Sequence, residues 1–187
     1  MVGVPIAGRA SSKQVRLNKI TAYLGFGSNL GERLANLESA LRLLGEKLSP
    51  AGEHTLVNQI SDIYETAPWG PINQPHYLNC SAKVTTTLAP RQLLQQAKAV
   101  EFDLGRQPGP RYGPRLIDVD ILLYGDQIFE ESELQIPHPR LHLRAFALVS
   151  LAELAGSMVH PVLNESIGAL AKNVEGLEGL KRLGRLI

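Results

Sequence analysis

The pattern of apolar and polar positions predicts an alternation of strands and helices. β-Branched and aromatic residues from Ile20 to Ser28 predict a first strand. Asn29, with Glu32 three residues later, resembles a capping box and is expected to start a helix that runs to about Lys47. Leucines recur through that helix at helical spacing, at positions Leu34, Leu37, Leu41, Leu44 and Leu48.

Later segments repeat this alternation. Pro90 suits the first turn of a second helix, and Gly105 is expected to end it. Three further strands are predicted from their β-branched and apolar composition, at residues 55–66, 77–87 and 117–124. The C-terminal third predicts a short hairpin at residues 127–136 and helical segments at residues 141–154 and 167–183.

The order strand, helix, strand, strand, helix, strand predicts an α+β fold. It is the order of a ferredoxin-like antiparallel sheet with helices packed on it, here with a small added hairpin. We expect the helices to cover one face and leave the other open to ligands. Residues 21–187 are expected to form a single domain that follows a flexible N-terminal extension, residues 1–20.

Composition narrows the classes of partner. The 187 residues include 19 Lys and Arg against 18 Asp and Glu, a net charge of +1, which disfavours a nucleic-acid binder. No apolar run is long enough to cross a membrane, so no membrane partner is expected. Cys80 is the single cysteine, so no internal disulfide can form and a cytoplasmic location is expected. Residues 1–20 carry four basic residues and no acid, a weak indication of an organellar presequence.

The most informative segment begins with a loop rich in glycine and proline. Arg106, Arg111 and Arg115 lie in it without any acidic residue. A solvated surface loop is the structural alternative. However, glycines allow the main chain to approach a ligand closely, and guanidinium groups suit phosphate oxygens. The loop is therefore a candidate anion site.

Two carboxylates follow the loop. Asp118 and Asp120 are two residues apart on an apolar strand, so both side chains face the same side. A salt bridge to Arg115 is the structural alternative. Magnesium is typically bound by one or two carboxylates together with substrate phosphates, so this segment predicts a metal and triphosphate site. His138 is close in sequence to Arg144 and is a further candidate to donate a hydrogen bond to a phosphate.

Two other phosphate-binding motifs are disfavoured. No P-loop sequence occurs. The glycines between Gly25 and Gly31 resemble a dinucleotide-binding fingerprint, but the last spacing is one residue too long and the expected acid after the second strand is missing. We interpret Gly25 and Gly27 as positions where the strand packs closely beside a ligand.

Polar and aromatic residues bracket the loop at 67–74. Ordinary packing is the structural alternative for the three aromatic residues among them. A flat heterocycle could instead stack between two rings, with Asn79 offering a donor and an acceptor to its edge. The residues concerned are Thr66, Trp69, Tyr77, Asn79 and Phe146.

These residues resemble the 6-hydroxymethyl-7,8-dihydropterin pyrophosphokinase family of folate biosynthesis. The family signature is a basic residue, any residue, Gly-Pro-Arg, two residues, Asp, an aliphatic, Asp and two aliphatics. Residues 111–122 (RYGPRLIDVDIL) match it throughout. Shorter matches are GSNLG, YETAPWGPINQPHYLN and PHPRLHLRAF, at residues 27–31, 64–79 and 137–146. The resemblance covers about residues 21–163.

The resemblance implies a reaction and a set of site residues. The pterin hydroxymethyl oxygen would attack the β-phosphorus of ATP, the co-substrate, and release AMP. Two Mg²⁺ ions would be bound by Asp118 and Asp120. The pterin would contact Thr66, Ala67, Trp69, Tyr77, Asn79, Tyr112 and Phe146. ATP would contact Arg106, Arg111, Arg115, Ile121, His138 and Arg144, the first three of these being catalytic. We expect a monomer that requires no general base.

Three positions depart from the family pattern. Gln107 and Pro108 follow Arg106 where a second arginine is often found, Tyr112 replaces a frequent tryptophan, and Ser150 replaces a common proline. Two other function classes are alternatives that the residues disfavour. One is a ferredoxin-like nucleotide- or RNA-binding module without catalysis, and the other is a dinucleotide-dependent oxidoreductase.

Overall fold

A computed structural model describes residues 18–47, 53–68, 73–107, 109 and 113–186 of the chain. Residues 1–17 of the expected extension lie outside this range, and the first strand begins at Ile20. The main sheet contains six strands, all paired antiparallel: β1 (Ile20–Ser28), β2 (Thr55–Ile60), β3 (Ile63–Thr66), β4 (Tyr77–Thr86), β5 (Asp118–Tyr124) and, numbered last along the chain, β8 (Lys181–Gly184).

The strand order places β1 and β4 at the centre of the sheet. The order is β5-β1-β4-β3-β8, and β2 pairs with the same edge of β4 as β3 does. The second predicted strand is therefore divided in two at Ser61 and Asp62. Its two halves pair with successive parts of β4, so the expectation of one continuous strand from 55 to 66 was wrong.

One face of the sheet packs against two helices, α1 (Arg33–Glu46) and α2 (Pro90–Asp103). Alternate residues of β1 and β4 enter this core because successive side chains of a strand point to opposite faces. The buried set includes Ala22, Leu24, Phe26, Leu37, Leu44, Cys80, Val84, Leu93, Ala97 and Val119. Cys80 thus fills the core, and both helices match their predicted ranges.

The second face is partly covered, which corrects the expectation of an open face. Helix α3 (Ala145–Ala155) packs on it with α4 (Ile167–Asn173), and Tyr23, Leu122 and Leu148 belong to this second core. The predicted helix at 141–154 is not continuous. A single 3₁₀ turn occupies Leu141–Leu143, and Arg144 then adopts extended backbone before α3 begins.

The C-terminal segment also differs from the expectation. A helical segment was predicted to reach residue 183, but the chain leaves α4 and pairs with β3 as the edge strand β8. Arg182 of β8 forms an ion pair with buried Asp62. The short hairpin is confirmed as β6 (Phe129–Glu130) and β7 (Gln135–Ile136). Within the described residues, no helix has the length and apolar character needed to span a membrane.

Candidate active site

A cleft opens on the second face, between the strand ends of β1, β4 and β5 and the first turns of α3. Its empty space is about 750 Å³, a volume that includes open solvent at the mouth. Its lining is polar on the β5 side and aromatic on the β4 and α3 sides. The lining includes Gly25, Gly27, Thr66, Ala67, Tyr77, Asn79, Ser81, Arg115, Asp118, Asp120, Arg144, Phe146 and Ser150.

The apolar part of the cleft has one aromatic residue on each side. Tyr77 is the first residue of β4, and Phe146 lies in the first turn of α3. Asn79 shares the face of β4 with Tyr77, and its Nδ2 donates to Thr66 Oγ1 on β3 at 2.8 Å. Both polar residues are buried, at 5% and 6% exposure. Their hydrogen bond fixes the amide beside the two rings.

Gly27 makes room for that amide. It pairs with Asn79 across β1 and β4, and a Cβ atom at Gly27 would lie 2.9 Å from Asn79 Oδ1. At Gly25 a Cβ atom would lie 3.3 Å from the flexible side chain of Leu122. The interpretation of these glycines as close-packing positions is confirmed, and the constraint is tighter at Gly27.

The end of α2 directs Arg106 towards β5. Gly105 has a φ of +82°, and the amide N–H groups of Gly105 and Arg106 donate to the carbonyls of Phe102 and Glu101. This is the Schellman arrangement that a glycine after a helix end allows. Because of it, the Arg106 guanidinium returns to lie between Glu101 Oε1, at 2.5 Å, and Asp118 Oδ1, at 2.7 Å.

Glu101 is a buried carboxylate that sequence reasoning treated only as part of a helix. It accepts the Val119 amide N–H at 2.8 Å and pairs with Lys98 and Arg106, so its charge is fully partnered despite 2% exposure. The available signal was an acid at a position where the helical spacing requires an apolar, core-facing residue.

Asp118 lies between two arginines. Arg115 Nη1 approaches its Oδ2 at 3.0 Å, and Arg106 approaches its Oδ1. Burial acts to raise the pKa of Asp118, but Arg115 and Arg106 outweigh it and hold the pKa below its ordinary value. The salt bridge that was the structural alternative is thus formed, and Asp118 is ionised at neutral pH.

Asp120 lies beside a second basic group. Arg144 Nη1 is 3.0 Å and His138 Nε2 3.8 Å from its Oδ2. The pKa of His138 is lowered to about 4, mainly by burial and also by the positive charge of Arg144. The negative charge of Asp120 acts in the opposite direction but does not compensate. The ring is therefore neutral at pH 7. Its Nδ1 lies 3.2 Å from the Arg140 amide nitrogen and its Nε2 lies 3.3 Å from Arg144 Nη1, so each ring nitrogen faces a hydrogen-bond donor.

Asn29 connects two loops around the cleft. The amide of Arg115 donates to Asn29 Oδ1 at 2.8 Å, while Asn29 Nδ2 donates to Gln74 and to the Pro75 carbonyl at 3.1 Å each. The expectation that Asn29 caps α1 was wrong, because Glu32 occupies the cap position and no side-chain cap bond forms. The side chain instead bonds the Gln74 side chain and backbone groups of Pro75 and Arg115, all distant in sequence.

The predicted site residues are largely brought together. Thr66, Ala67, Tyr77, Asn79, Phe146, Arg115, Asp118, Asp120 and Arg144 line the cleft. Arg106 and His138 contact its two aspartates. Ile121 does not share this position: its side chain is buried in the core under α1 and α2, on the opposite face of β5. Trp69, Arg111 and Tyr112, together with Pro108, lie outside the described residues.

Asp118 and Asp120 are the candidate ligands for magnesium in the cleft. In the described part of the chain, no three His, Cys, Asp or Glu side chains are grouped so that they could hold a metal by themselves. Asp118 and Asp120 offer oxygen donors from one strand face to the cleft. Mg²⁺ typically takes one or two carboxylates plus phosphate oxygens and water, so this pair fits magnesium that arrives with a phosphorylated substrate.

Comparisons with known proteins identify similar chains. A family model described as 7,8-dihydro-6-hydroxymethylpterin-pyrophosphokinase (HPPK) matches residues 23–156. The chain is 38% identical over 147 residues to the Aquifex aeolicus protein named 2-amino-4-hydroxy-6-hydroxymethyldihydropteridine pyrophosphokinase, covering 79% of this chain and 88% of the relative. It is 40% identical over 146 residues to an Arabidopsis thaliana protein named folate synthesis bifunctional protein, mitochondrial, covering 78% of this chain and 25% of that one.

A solved structure shares the fold. The crystal structure of a triple mutant of Plasmodium falciparum HPPK-DHPS aligns with a TM-score of 0.68 at 18% identity. The alignment covers 90% of this chain and 48% of the other, so this chain spans about half the length of that protein.

Proposed function

The chain belongs to the 7,8-dihydro-6-hydroxymethylpterin-pyrophosphokinase family, and we propose that it transfers pyrophosphate from ATP to the hydroxymethyl group of 6-hydroxymethyl-7,8-dihydropterin. The products are AMP and the pterin diphosphate, as required in folate biosynthesis. The observation that carries this proposal is one cleft with two adjoining parts. One part is an aromatic slot between Tyr77 and Phe146, with the Asn79 amide at its edge, and the other is a cluster of arginines and aspartates.

The slot suits a pterin. Tyr77 and Phe146 offer two ring faces to a flat bicyclic heterocycle, and Asn79 with Thr66 offers hydrogen bonds to its edge. Ala67 lines the same part of the cleft. Phe146 also lies under Arg144, whose guanidinium carbon is 5.8 Å from the ring centroid. The pterin slot therefore directly adjoins the charged groups.

The charged part of the cleft suits the ATP triphosphate. Arg115 and Arg144 line it, Arg106 contacts Asp118, and His138 lies beside Asp120 and Arg144, where its ring would contact a phosphate oxygen. A second groove has His138, Gln135 and Pro139 in its lining, and His138 also lies 3.8 Å from Asp120 of the cleft, so adenosine would occupy this groove. Any contact from Ile121 would come from its main chain.

Asp118 and Asp120 would hold magnesium, and we propose two ions. Bound with ATP, these ions would neutralise phosphate charge and align the triphosphate. The low pKa of Asp118 supports this assignment because the carboxylate needs no deprotonation before it binds a cation. In the free protein the arginines neutralise both aspartates, so they keep the two charges stable in a partly buried site.

The protein's own part in the reaction is alignment and charge stabilisation. Arg106 and Arg115 would turn from Asp118 to the oxygens of the β-phosphoryl group and the leaving AMP as negative charge develops there. By resemblance, Arg111 would contact the same oxygens. The neutral pterin hydroxyl is positioned by the slot in line with the β-phosphorus. No side chain is assigned as a general base.

Several finer features are proposals of the same kind. The strand order is consistent with a ferredoxin-like plan in which β2 and β3 act as one strand. We propose a single catalytic domain from residue 21 onward, working as a monomer in the cytoplasm. Because the Arabidopsis relative is named mitochondrial and residues 1–20 are basic, cell fractionation of the tagged chain is the direct test of location.

The discriminating experiment combines the protein with ATP, magnesium and 6-hydroxymethyl-7,8-dihydropterin. We expect AMP and the pterin diphosphate in equal amounts. Production of ADP, or binding of nucleotide without turnover, would contradict the proposal, and the second outcome would favour the non-catalytic nucleotide-binding alternative. A matched reaction without pterin measures hydrolysis of ATP by itself.

A further inference from the structure

Two buried hydroxyl groups meet at the floor of the cleft. Ser81 Oγ of β4 and Ser150 Oγ of α3 are 2.7 Å apart, and the two residues are 0% and 1% exposed. Both belong to the lining of the cleft. This hydrogen bond joins two elements 69 residues apart in sequence.

The pair lies directly behind the aromatic slot. Ser81 follows Asn79 by two residues on the same face of β4, so it stands in line with Tyr77 and Asn79. Ser150 follows Phe146 by four residues and therefore lies one helical turn behind it. Each wall of the slot thus continues into one member of the hydroxyl pair.

The protons of the pair have a definite arrangement. A serine hydroxyl has one proton to donate. Ser150 Oγ lies 2.8 Å from the Phe146 carbonyl and 3.2 Å from that of Ala147, and these oxygens can only accept. Ser150 therefore donates to its own helix, and Ser81 donates to Ser150. The chain of bonds runs from β4 through Ser150 to the main chain that carries Phe146.

We propose that Ser81 and Ser150 are positioning residues that set the distance between the two walls of the slot. The inference rests on the proposed function, because it takes a flat pterin as the occupant. A hydrogen bond holds its two heavy atoms within a narrow distance range. The pair therefore holds the two walls of the slot at one separation before the substrate binds.

The test compares Ser81→Ala, Ser150→Ala and the double variant with the wild-type protein. We expect each single variant to raise the pterin KM about fivefold, the factor that a neutral hydrogen bond is worth, with the ATP KM unchanged. The bond between the two serines is lost in all three variants, so the double variant should be no worse than Ser150→Ala, which also removes the contacts with the Phe146 and Ala147 carbonyls.

A matched control removes a serine hydroxyl elsewhere. Ser166 caps α4 and accepts the Ala169 amide at 3.1 Å, away from the cleft. Ser166→Ala should lower thermal stability while the pterin KM stays at the wild-type value. A pterin KM that moves no more in the Ser81 and Ser150 variants than in this control, or single effects that add in the double variant, would overturn the inference.

A second measurement needs no substrate. Hydrogen exchange at the amides of Ala147 and Leu148, in the first turn of α3, should become about fivefold faster in both single variants and stay unchanged in the Ser166 variant. Unchanged exchange would also count against the pair. If the wild-type protein makes no AMP, the proposed function fails, whereas this measurement still decides whether the pair positions α3. If Ser150→Ala does not fold, Ser81→Ala carries both tests.

Discussion

Replacing Gly27 by alanine would displace the Asn79 amide of the proposed pterin site, because Gly27 pairs with Asn79 across β1 and β4. The new Cβ atom would lie 2.9 Å from Asn79 Oδ1, where an ordinary contact begins at 3.4 Å, so the amide would have to move by about 0.5 Å. The backbone of Gly27 is ordinary strand, so alanine introduces no φ strain there. The change therefore acts on the position of the amide.

The expected magnitude follows from the hydrogen bonds of that amide. Asn79 is held at 2.8 Å from Thr66 Oγ1 and is proposed to bond the pterin edge through its remaining groups. Misplacing one or two neutral hydrogen bonds costs about 1–2 kcal/mol, which corresponds to a rise of roughly 5- to 30-fold in the pterin KM. The ATP KM should change by less than about twofold.

The assay measures AMP formation at saturating ATP and magnesium while the pterin concentration is varied. Gly45→Ala is the matched control, because no atom lies within 4 Å of its added Cβ and it lies in α1 away from the cleft. That control should keep wild-type kinetics and gain about 0.5–1 kcal/mol of stability from its better helix propensity. A Gly27 variant with an unchanged pterin KM would refute the assigned role of the Asn79 amide.

Three further predictions concern groups around the cleft. Glu101→Gln removes a buried charge that holds Arg106, so it should reduce kcat about tenfold and the free energy of unfolding by about 1–3 kcal/mol; unchanged kcat and urea midpoint would contradict this. Asn29→Ala should raise the KM of both substrates, because the side chain connects two loops, and a selective effect on one substrate would argue against that connection. Burial raises the pKa of the Cys80 thiol to about 12, so the reactive thiolate forms only as the pH approaches that value. A disulfide reagent at pH 8 should therefore modify the protein only when denaturant unfolds it, and rapid reaction of the native protein would contradict this.

The Asn29 outcome illustrates where local sequence rules stop. An Asn three residues before an acid is a reasonable helix cap, and α1 does begin close to it, at Arg33. The side chain nevertheless bonds to Arg115, Gln74 and Pro75, which lie 45 to 86 residues away. A capping rule weighs only local partners, and tertiary contacts supplied better ones.

The C-terminal strand and the covered face have the same origin. Residues 181–184 have no strong strand pattern, yet they pair with β3 because that strand has a free edge beside them. Helix α3 packs on the face that the strand-and-helix order left open, where Tyr23 and Leu122 offer apolar surface. Such choices depend on which surfaces remain exposed after the sheet has formed.

By itself the sequence determined the strand and helix order, the pairing of Asp118 with Asp120 on one face, and the signature of the family. These depend on periodicity and on residue types at short spacing, which the chain carries locally. Only the tertiary structure decided that Glu101 holds Arg106, that Gly27 leaves room for Asn79, and that Ser81 meets Ser150. Each of these contacts joins separate elements, and its distance is set by the packing of the sheet against its helices.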